Sequence, residues 1–205
     1  MAKIDYKKEL RELYSPKSDK ISEVKVPWMN FIIIDGKGDP NKEGEFQQAI
    51  ESLYPVAYGI KFAVKKDSGV DFGVMPLEAL WWAENMKDFD PDKGNRDNWL
   101  WSAMIMQPKE VTANIFEKIV NEVKTKKNLP LIERIRFESI EEGEAVQIMH
   151  IGPFSQEGPN ILRLHQAIAE KGAKLTGKHH EIYLSDMRRV APEKLKTVLR
   201  QPFAK

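Results

Sequence analysis

Cysteine is absent from this 205-residue chain, and that excludes disulfides, thiolate metal sites and cysteine nucleophiles at once. No apolar run approaches the roughly 20 residues needed to span a bilayer, and Met1-Ala2-Lys3-Ile4-Asp5-Tyr6 lacks the apolar stretch of a secretory signal. An excess of charge of either sign is missing too. Lys and Arg number 32 against 31 Asp and Glu, for a net charge of +1. So even a balance argues against the broad basic footprint of a DNA-binding surface, and no direct DNA binding is expected. The four histidines include no HExxH pattern, so no metal site is expected. Gly36-Lys37-Gly38 lacks the third glycine of a dinucleotide loop, and there is no Gly-x-Ser-x-Gly elbow for a serine hydrolase. No cofactor is implied. What is present, 41% hydrophobic and 31% charged residues, suits one substantial domain or two small joined modules in the cytoplasm, away from the membrane.

Two distant stretches echo each other. Phe31-Ile32-Ile33-Ile34-Asp35-Gly36 leads through a polar loop to a helix carrying Gln48-Ala49-Ile50. Gln147-Ile148-Met149-His150-Ile151-Gly152 leads through another to Gln166-Ala167-Ile168. The offset is 152 − 36 = 116 at the glycines and 166 − 48 = 118 at the glutamines, a two-residue indel. A strand, a glycine turn and a helix therefore occur twice, by duplication or by chance. Duplication predicts a pseudo-symmetric fold with a ligand groove at the seam.

The rest of the chain supports an α+β class, with duplicated strand-helix-strand-strand modules. Residues 1–27 are charged and mixed and read as an N-terminal arm. The domain proper is expected over 28–205, with a first module at about 28–107, a linking helix at about 108–128 and a second module at about 129–205. The continuous apolar run in 28–35 predicts a strand buried on both faces. From Glu43 a helical stripe runs through Phe46, Ile50, Leu53, Ala57, Ile60 and Val64, with Tyr54, Tyr58 and Phe62 beside it, and Pro55 should kink or divide it. Residues 72–82 read as a strand with Pro76 marking an edge or bulge, 84–98 as a polar loop that could form a lid, and 99–106 as a second buried strand. A four-residue repeat of Val111, Ile115, Ile119 and Val123 predicts a helix. Strands are expected at 135–137, 145–151 and 180–185, a helix at 159–171, and a last strand or helix from Arg188. The expected arrangement is two antiparallel sheets or one continuous one, with helices on one side.

Glu181 is the leading chemical candidate. Period two places Glu181 and Tyr183 on one face of a strand and Ile182 and Leu184 on the other. A carboxylate held among aromatics and partly desolvated suits a general base or a cation receptor; an ordinary solvent-facing acid is the competing reading. Tryptophan supplies the second clue: Trp99 and Trp101 share a face, Trp82 shares one with Glu78, and Trp28 opens the first strand. Large aromatics near an acid make a slot for planar aromatic or cationic ligands. Trp81 is assigned to the core, whereas Trp82 and Trp101 fit slot and core equally well. His150 stands where the first copy has Ile34, and a polar residue in a buried strand marks either a site or a satisfied core histidine.

Several segments in order then carry a resemblance. They are Pro27-Trp28-Met29-Asn30-Phe31, Asp35-Gly36-Lys37-Gly38-Asp39-Pro40-Asn41, Pro76-Leu77-Glu78-Ala79-Leu80-Trp81-Trp82, Met104-Ile105-Met106-Gln107-Pro108, His150-Ile151-Gly152-Pro153 and His180-Glu181-Ile182-Tyr183-Leu184. With these the chain resembles the GyrI-like small-molecule-binding family over nearly its whole length. The resemblance implies a duplicated module with a groove between the copies. Some members carry a DNA-binding helix-turn-helix, for which the 27 residues before the first strand leave no room. It is a standalone branch, whose members hydrolyse cyclopropane-bearing DNA-alkylating toxins, that the chain resembles more closely. This implies Glu181 as the base that activates water, with Tyr183 or Tyr58 holding the water or the developing oxyanion. A planar aromatic ligand would be bound by Trp28, Trp82 and Trp101, with Glu78 and His150 as further candidates. The alternatives are a non-catalytic binder, sequestrant or sensor of aromatic or cationic drugs, and a gyrase-interacting inhibitor.

Overall fold

The computed structural model describes residues 3–89 and 94–205. Its centre is one antiparallel sheet in which β2 (Met29–Lys37), β3 (Leu77–Trp82), β4 (Leu100–Gln107), β6 (Gly143–Ile151), β8 (His179–Tyr183) and β9 (Lys196–Ala204) are joined by β1 (Ser22–Val26) and β5 (Arg136–Ile140). The strand order is β1-β6-β9-β8-β3-β4-β2-β5, with the two-residue β7 (Lys174–Leu175) on the side of β9. That order reads alike from both edges. In each half the long first strand (β2 or β6) pairs with the last (β4 or β9), which pairs with the short middle one (β3 or β8). The two middle strands meet at the centre, Ala79 opposite Glu181. The echo in the sequence is thus a structural repeat about the β3–β8 seam.

The strands preceding each repeat are exchanged. β1 precedes β2 in the chain but pairs with β6, and β5 precedes β6 but pairs with β2. Residues 22–26, which the sequence assigns to the arm, are therefore an edge strand of the second half. Ahead of them α1 (Tyr6–Glu9) and α2 (Arg11–Tyr14) are single turns.

Three longer helices cover one face. α3 (Glu45–Ser68) packs over β2 and β4, α5 (Gly158–Glu170) over β6 and β9, and α4 (Ala113–Lys126) against α3. Pro55 does not divide α3, which runs unbroken for 24 residues. Leu53, Val56, Ala57, Ile60 and Val64 are all buried on both sides of the proline, and that burial, at about 1.5–3 kcal/mol for each larger side chain, outweighs one missing backbone bond. The expected strand at 72–82 is shorter than the pattern implies. Phe72 makes only an isolated bridge to Ile4, and pairing begins after Pro76, which has no N–H to give. Of the loop at 84–98, residues 90–93 lie outside the described residues. Among those described, no helix is long and apolar enough to cross a membrane.

Candidate functional site

Residues paired across antiparallel strands point to the same side, so the registers sort the central side chains. Leu77, Ala79 and Trp81 of β3 share the helix-bearing face with Tyr183, Glu181 and His179 of β8, and with Thr197 and Leu199 of β9. The main contacts of α3 and α5 skip β3 and β8, so the seam between the two helices is the candidate groove, with these central strands as its buried floor. One wall is the α3 stripe Phe46, Ile50, Tyr54 and Tyr58, at four-residue spacing. Phe46 lies 5.1 Å from Trp81. The other wall is the turn into α5, where Phe154 meets the Tyr183 ring edge-on at 5.5 Å, followed by Glu157.

On the floor a hydrogen-bond relay fixes the chemistry of Glu181. Trp81 Nε1–H donates to the Tyr183 hydroxyl at 3.1 Å, and that hydroxyl donates to Glu181 Oε2 at 2.7 Å. Because the Tyr183 oxygen accepts from Trp81, its own proton is directed at Glu181. The other carboxylate oxygen, Oε1, lies 3.4 Å from His179 Nε2, with the Glu181 side chain 15% exposed. Burial, then the charges of Glu181 and Glu157, push the Tyr183 phenol well above its ordinary value, so it serves as a donor and not as a base. Glu157 is buried, and its carboxyl is pushed up to about 10 by burial first and by the charge of Glu181 second, against the Thr197 hydroxyl beside it. His165, on the same side of α5, is lowered by burial and by His179.

The opposite face carries a second polar cluster. His180 is 1% exposed, with Nε2 3.0 Å from Glu78 Oε2 and Nδ1 3.0 Å from Glu142. Arg200 donates to Glu142 at 2.8 Å, to Gln147 at 3.0 Å and to the Leu13 carbonyl at 2.8 Å, while the Tyr14 hydroxyl donates to Glu78 at 2.7 Å. The segment around Tyr14 closes this face, so the cluster ties the N-terminal arm to the sheet.

The structure brings together only part of the residue set expected from sequence. Glu181 and Tyr183 meet as expected. Glu78 and Trp82 do share a face, but it is the one away from Glu181. Glu78 belongs to the arm cluster, and Trp82 lies under Lys178 Nζ at 3.2 Å. Trp101 is on the groove side yet fully buried, two strands out, with Phe46 packed on it at 5.1 Å. It also fills the space above Gly36, where a Cβ would come within 2.2 Å of its ring. Trp101 is core. Trp28 is 67% exposed just before β2, and Tyr58 is 49% exposed towards the far end of the α3 stripe. His150 is buried and both of its nitrogens are engaged. Nε2–H donates to the Pro153 carbonyl at 3.2 Å, and Nδ1 accepts from Asn160 at 3.2 Å. It clamps the turn at Gly152 (φ 140°) that carries Phe154 and Glu157, and so shapes the groove wall without lining it.

Trp81, His179, Thr197, Phe154 and Glu157 are the residues that sequence reasoning missed at this site. Period two would have grouped Trp81 with Leu77 and Ala79, but only the register with β8 sets that group beside Glu181. Glu157 sits in a polar stretch ahead of Gly158-Pro159, and nothing local aims it at the sheet.

Among curated proteins, none matches this chain. Solved structures do. An uncharacterized conserved protein from Listeria innocua is 44% identical, with a TM-score of 0.89 over 98% of this chain and 100% of that one. A protein described as a hydrolase from Listeria innocua is 42% identical, with a TM-score of 0.83 over 98% and 100%. The C-terminal domain of EcmrR, 14% identical with a TM-score of 0.56 over 91% and 98%, shares the fold alone. The model of the GyrI-like small molecule binding domain matches residues 19–203, which span every strand of the sheet but the last residue of β9, and the chain belongs to that family.

Proposed function

We propose that this protein is a hydrolase that opens cyclopropane-bearing DNA-alkylating toxins, with Glu181 activating the water, and that it protects the cell by doing so. The observation that carries the proposal is the relay Trp81–Tyr183–Glu181. It occupies one carboxylate oxygen, Oε2, with a donated proton, while Oε1 lies 3.4 Å from His179 Nε2, so the carboxylate is held in one orientation, as a general base needs. The Listeria innocua relative described as a hydrolase supports the reaction class.

A planar cyclopropa-fused dienone would lie against the aromatic α3 wall, with Tyr58 at its rim, and over Trp81. Water bonds to the strained methylene as its proton passes to Glu181. The ring C–C bond breaks, and its electron pair moves into the dienone to give a phenolate that is then protonated, so the net change is the addition of water. Tyr183 holds Glu181 in place by its 2.7 Å hydrogen bond. General-base help of about 10²–10⁴-fold suffices for a substrate already primed by strain. No DNA contact belongs to this role.

The competing reading is a non-catalytic binder in which Glu181 is the counter-charge of a cationic aromatic ligand; the acid at the bottom of an aromatic groove favours it over a gyrase-directed role. One experiment separates them. Purified protein is mixed with a duocarmycin-type cyclopropane compound and ring-opened product is followed by mass spectrometry, wild type beside Glu181→Gln. Multiple turnovers by wild type that vanish in the variant support the base. Turnover that survives the change removes Glu181 from the mechanism, and binding without product makes the protein a sequestrant or sensor.

A further inference from the structure

The groove contains a second carboxyl that the hydrolysis just described leaves idle. Glu157 occupies the N-cap position of α5 and is 4% exposed. Its Oε1 is buried without a well-formed hydrogen bond, and so is Thr197 Oγ1. Thr197 lies directly across from Tyr183 in the β8–β9 register. Nothing in the helix or its cap requires a carboxyl here, since the side chain makes no capping bond to α5. The groups that act on this carboxyl are Glu181 and Tyr183 from β8 and Thr197 from β9. Of these only Glu181 is a carboxylic acid, so the site sets two carboxyls near each other.

Two carboxyls close enough to repel do not both ionise; one keeps its proton. The environments decide which. Glu181 accepts the Tyr183 proton at 2.7 Å, whereas Glu157 has the Thr197 hydroxyl beside it and is the more deeply buried. Glu157 is therefore the carboxyl that keeps its proton, the division of labour by which paired carboxyls run acid and base chemistry at one pH.

We propose that Glu157 is the proton donor of this groove, delivering its proton to the dienone oxygen as Glu181 takes one from water. The assignment rests on the hydrolase reading above. Its proton balance closes within the pair. When Glu181 is protonated the repulsion that held the Glu157 proton disappears, and that proton is released to the oxygen as the ring C–C bond breaks. The pair carries one negative charge throughout, and a proton passed from Glu181 to Glu157 through solvent resets it. His150 enters as a positioning residue, since its two bonds to Pro153 and Asn160 set the turn from which Glu157 projects.

The test is Glu157→Gln, assayed at saturating substrate on a series of cyclopropa-fused dienones whose ring-opened phenols differ in acidity. Glutamine is close in shape to a protonated glutamate. Glu157→Asp, which withdraws the proton but keeps the acid, answers the same question if the first variant does not fold. The expected result is a kcat loss of about 10²-fold or more on the dienone giving the least acidic phenol, little loss on the one giving the most acidic, and an unchanged KM. The wild-type protein should also show, at pH 8, the infrared carbonyl stretch of a neutral carboxyl that is missing from Glu157→Gln. A structural role would lower all substrates alike. Uniform loss, or none, with wild type turning over overturns the donor and leaves Glu181 as the base. No turnover by wild type on any member overturns the hydrolase reading and the donor with it.

Discussion

The buried cluster beneath the N-terminal arm makes a quantitative prediction about alkaline stability. His180 lies between Glu78 and Glu142, each 3.0 Å away, with Arg200 on Glu142 at 2.8 Å. With imidazolium, guanidinium and two carboxylates the cluster is neutral; losing the imidazole proton strands a buried negative charge. Burial alone would lower the His180 pKa, but the two carboxylates outweigh it and raise it from 6.5 to about 9. A folded value above the unfolded one means that the native state holds the extra proton. The stabilisation is therefore full below pH 6.5 and is lost as pH rises through about 9. Two to three pKa units correspond to about 3 kcal/mol, a large share of a domain's total of about 5–15 kcal/mol. Glu142, lowered to about 2 by His180 and Arg200 against its own burial, reports the same attraction and is not added to it. Its contribution is present above its ordinary value near 4.5 and is lost as pH falls through about 2. Glu157 shifts stability in the same direction as His180 over the alkaline range, because its carboxyl is also raised, so the comparison belongs in a Glu157→Gln background. Urea unfolding there at pH 6 and pH 9.5 should differ by about 3 kcal/mol. The difference should disappear in His180→Gln, which is itself destabilised by about 3–5 kcal/mol because two buried carboxylates lose their partner. A free energy that stays flat between the two pH values in the background protein would refute the charged imidazole.

Two further substitutions test the packing around the groove. Tyr183→Phe removes the acceptor of Trp81 Nε1–H and the donor to Glu181; a cost of about 1–3 kcal/mol is expected by urea unfolding, with slower turnover as Glu181 loses its anchor. Gly36→Ala would set a methyl 2.2 Å from Trp101 in a ring that has nowhere to move, and the melting temperature should fall by the equivalent of about 1–3 kcal/mol; an unchanged melt would mean that the Trp101 pocket is loose.

Much of the fold was legible because it is written in local patterns. The apolar run Phe31-Ile32-Ile33-Ile34 became the buried centre of β2, and the spacing of Leu53, Ala57, Ile60 and Val64 became the inner stripe of α3. The repeat was legible as well, since each half folds by the same strand-turn-helix grammar. Within a strand, period two paired Glu181 with Tyr183 and Glu78 with Trp82 as the structure has them. Three points turned on tertiary contacts that no local rule sees: Pro55 does not divide α3, residues 22–26 are an edge strand of the sheet, and Trp101, which fitted slot and core equally, is sealed by Phe46 and the bare backbone of Gly36.

The sequence by itself determined the elements, their inward stripes and the company each side chain keeps on its own strand, because these follow from dihedral preferences and repeat periods within a few residues. Only the tertiary structure decided which face of β8 lines the groove and which residues meet there. The Trp81–Tyr183 contact joins residues 102 apart, Tyr14–Glu78 joins residues 64 apart and Arg200–Leu13 joins residues 187 apart. A shift of one residue in the β3–β8 register would exchange Glu78 for Ala79 opposite Glu181. That register is set by the packing of the two halves on their helices, a property of the whole sheet and of no segment within it.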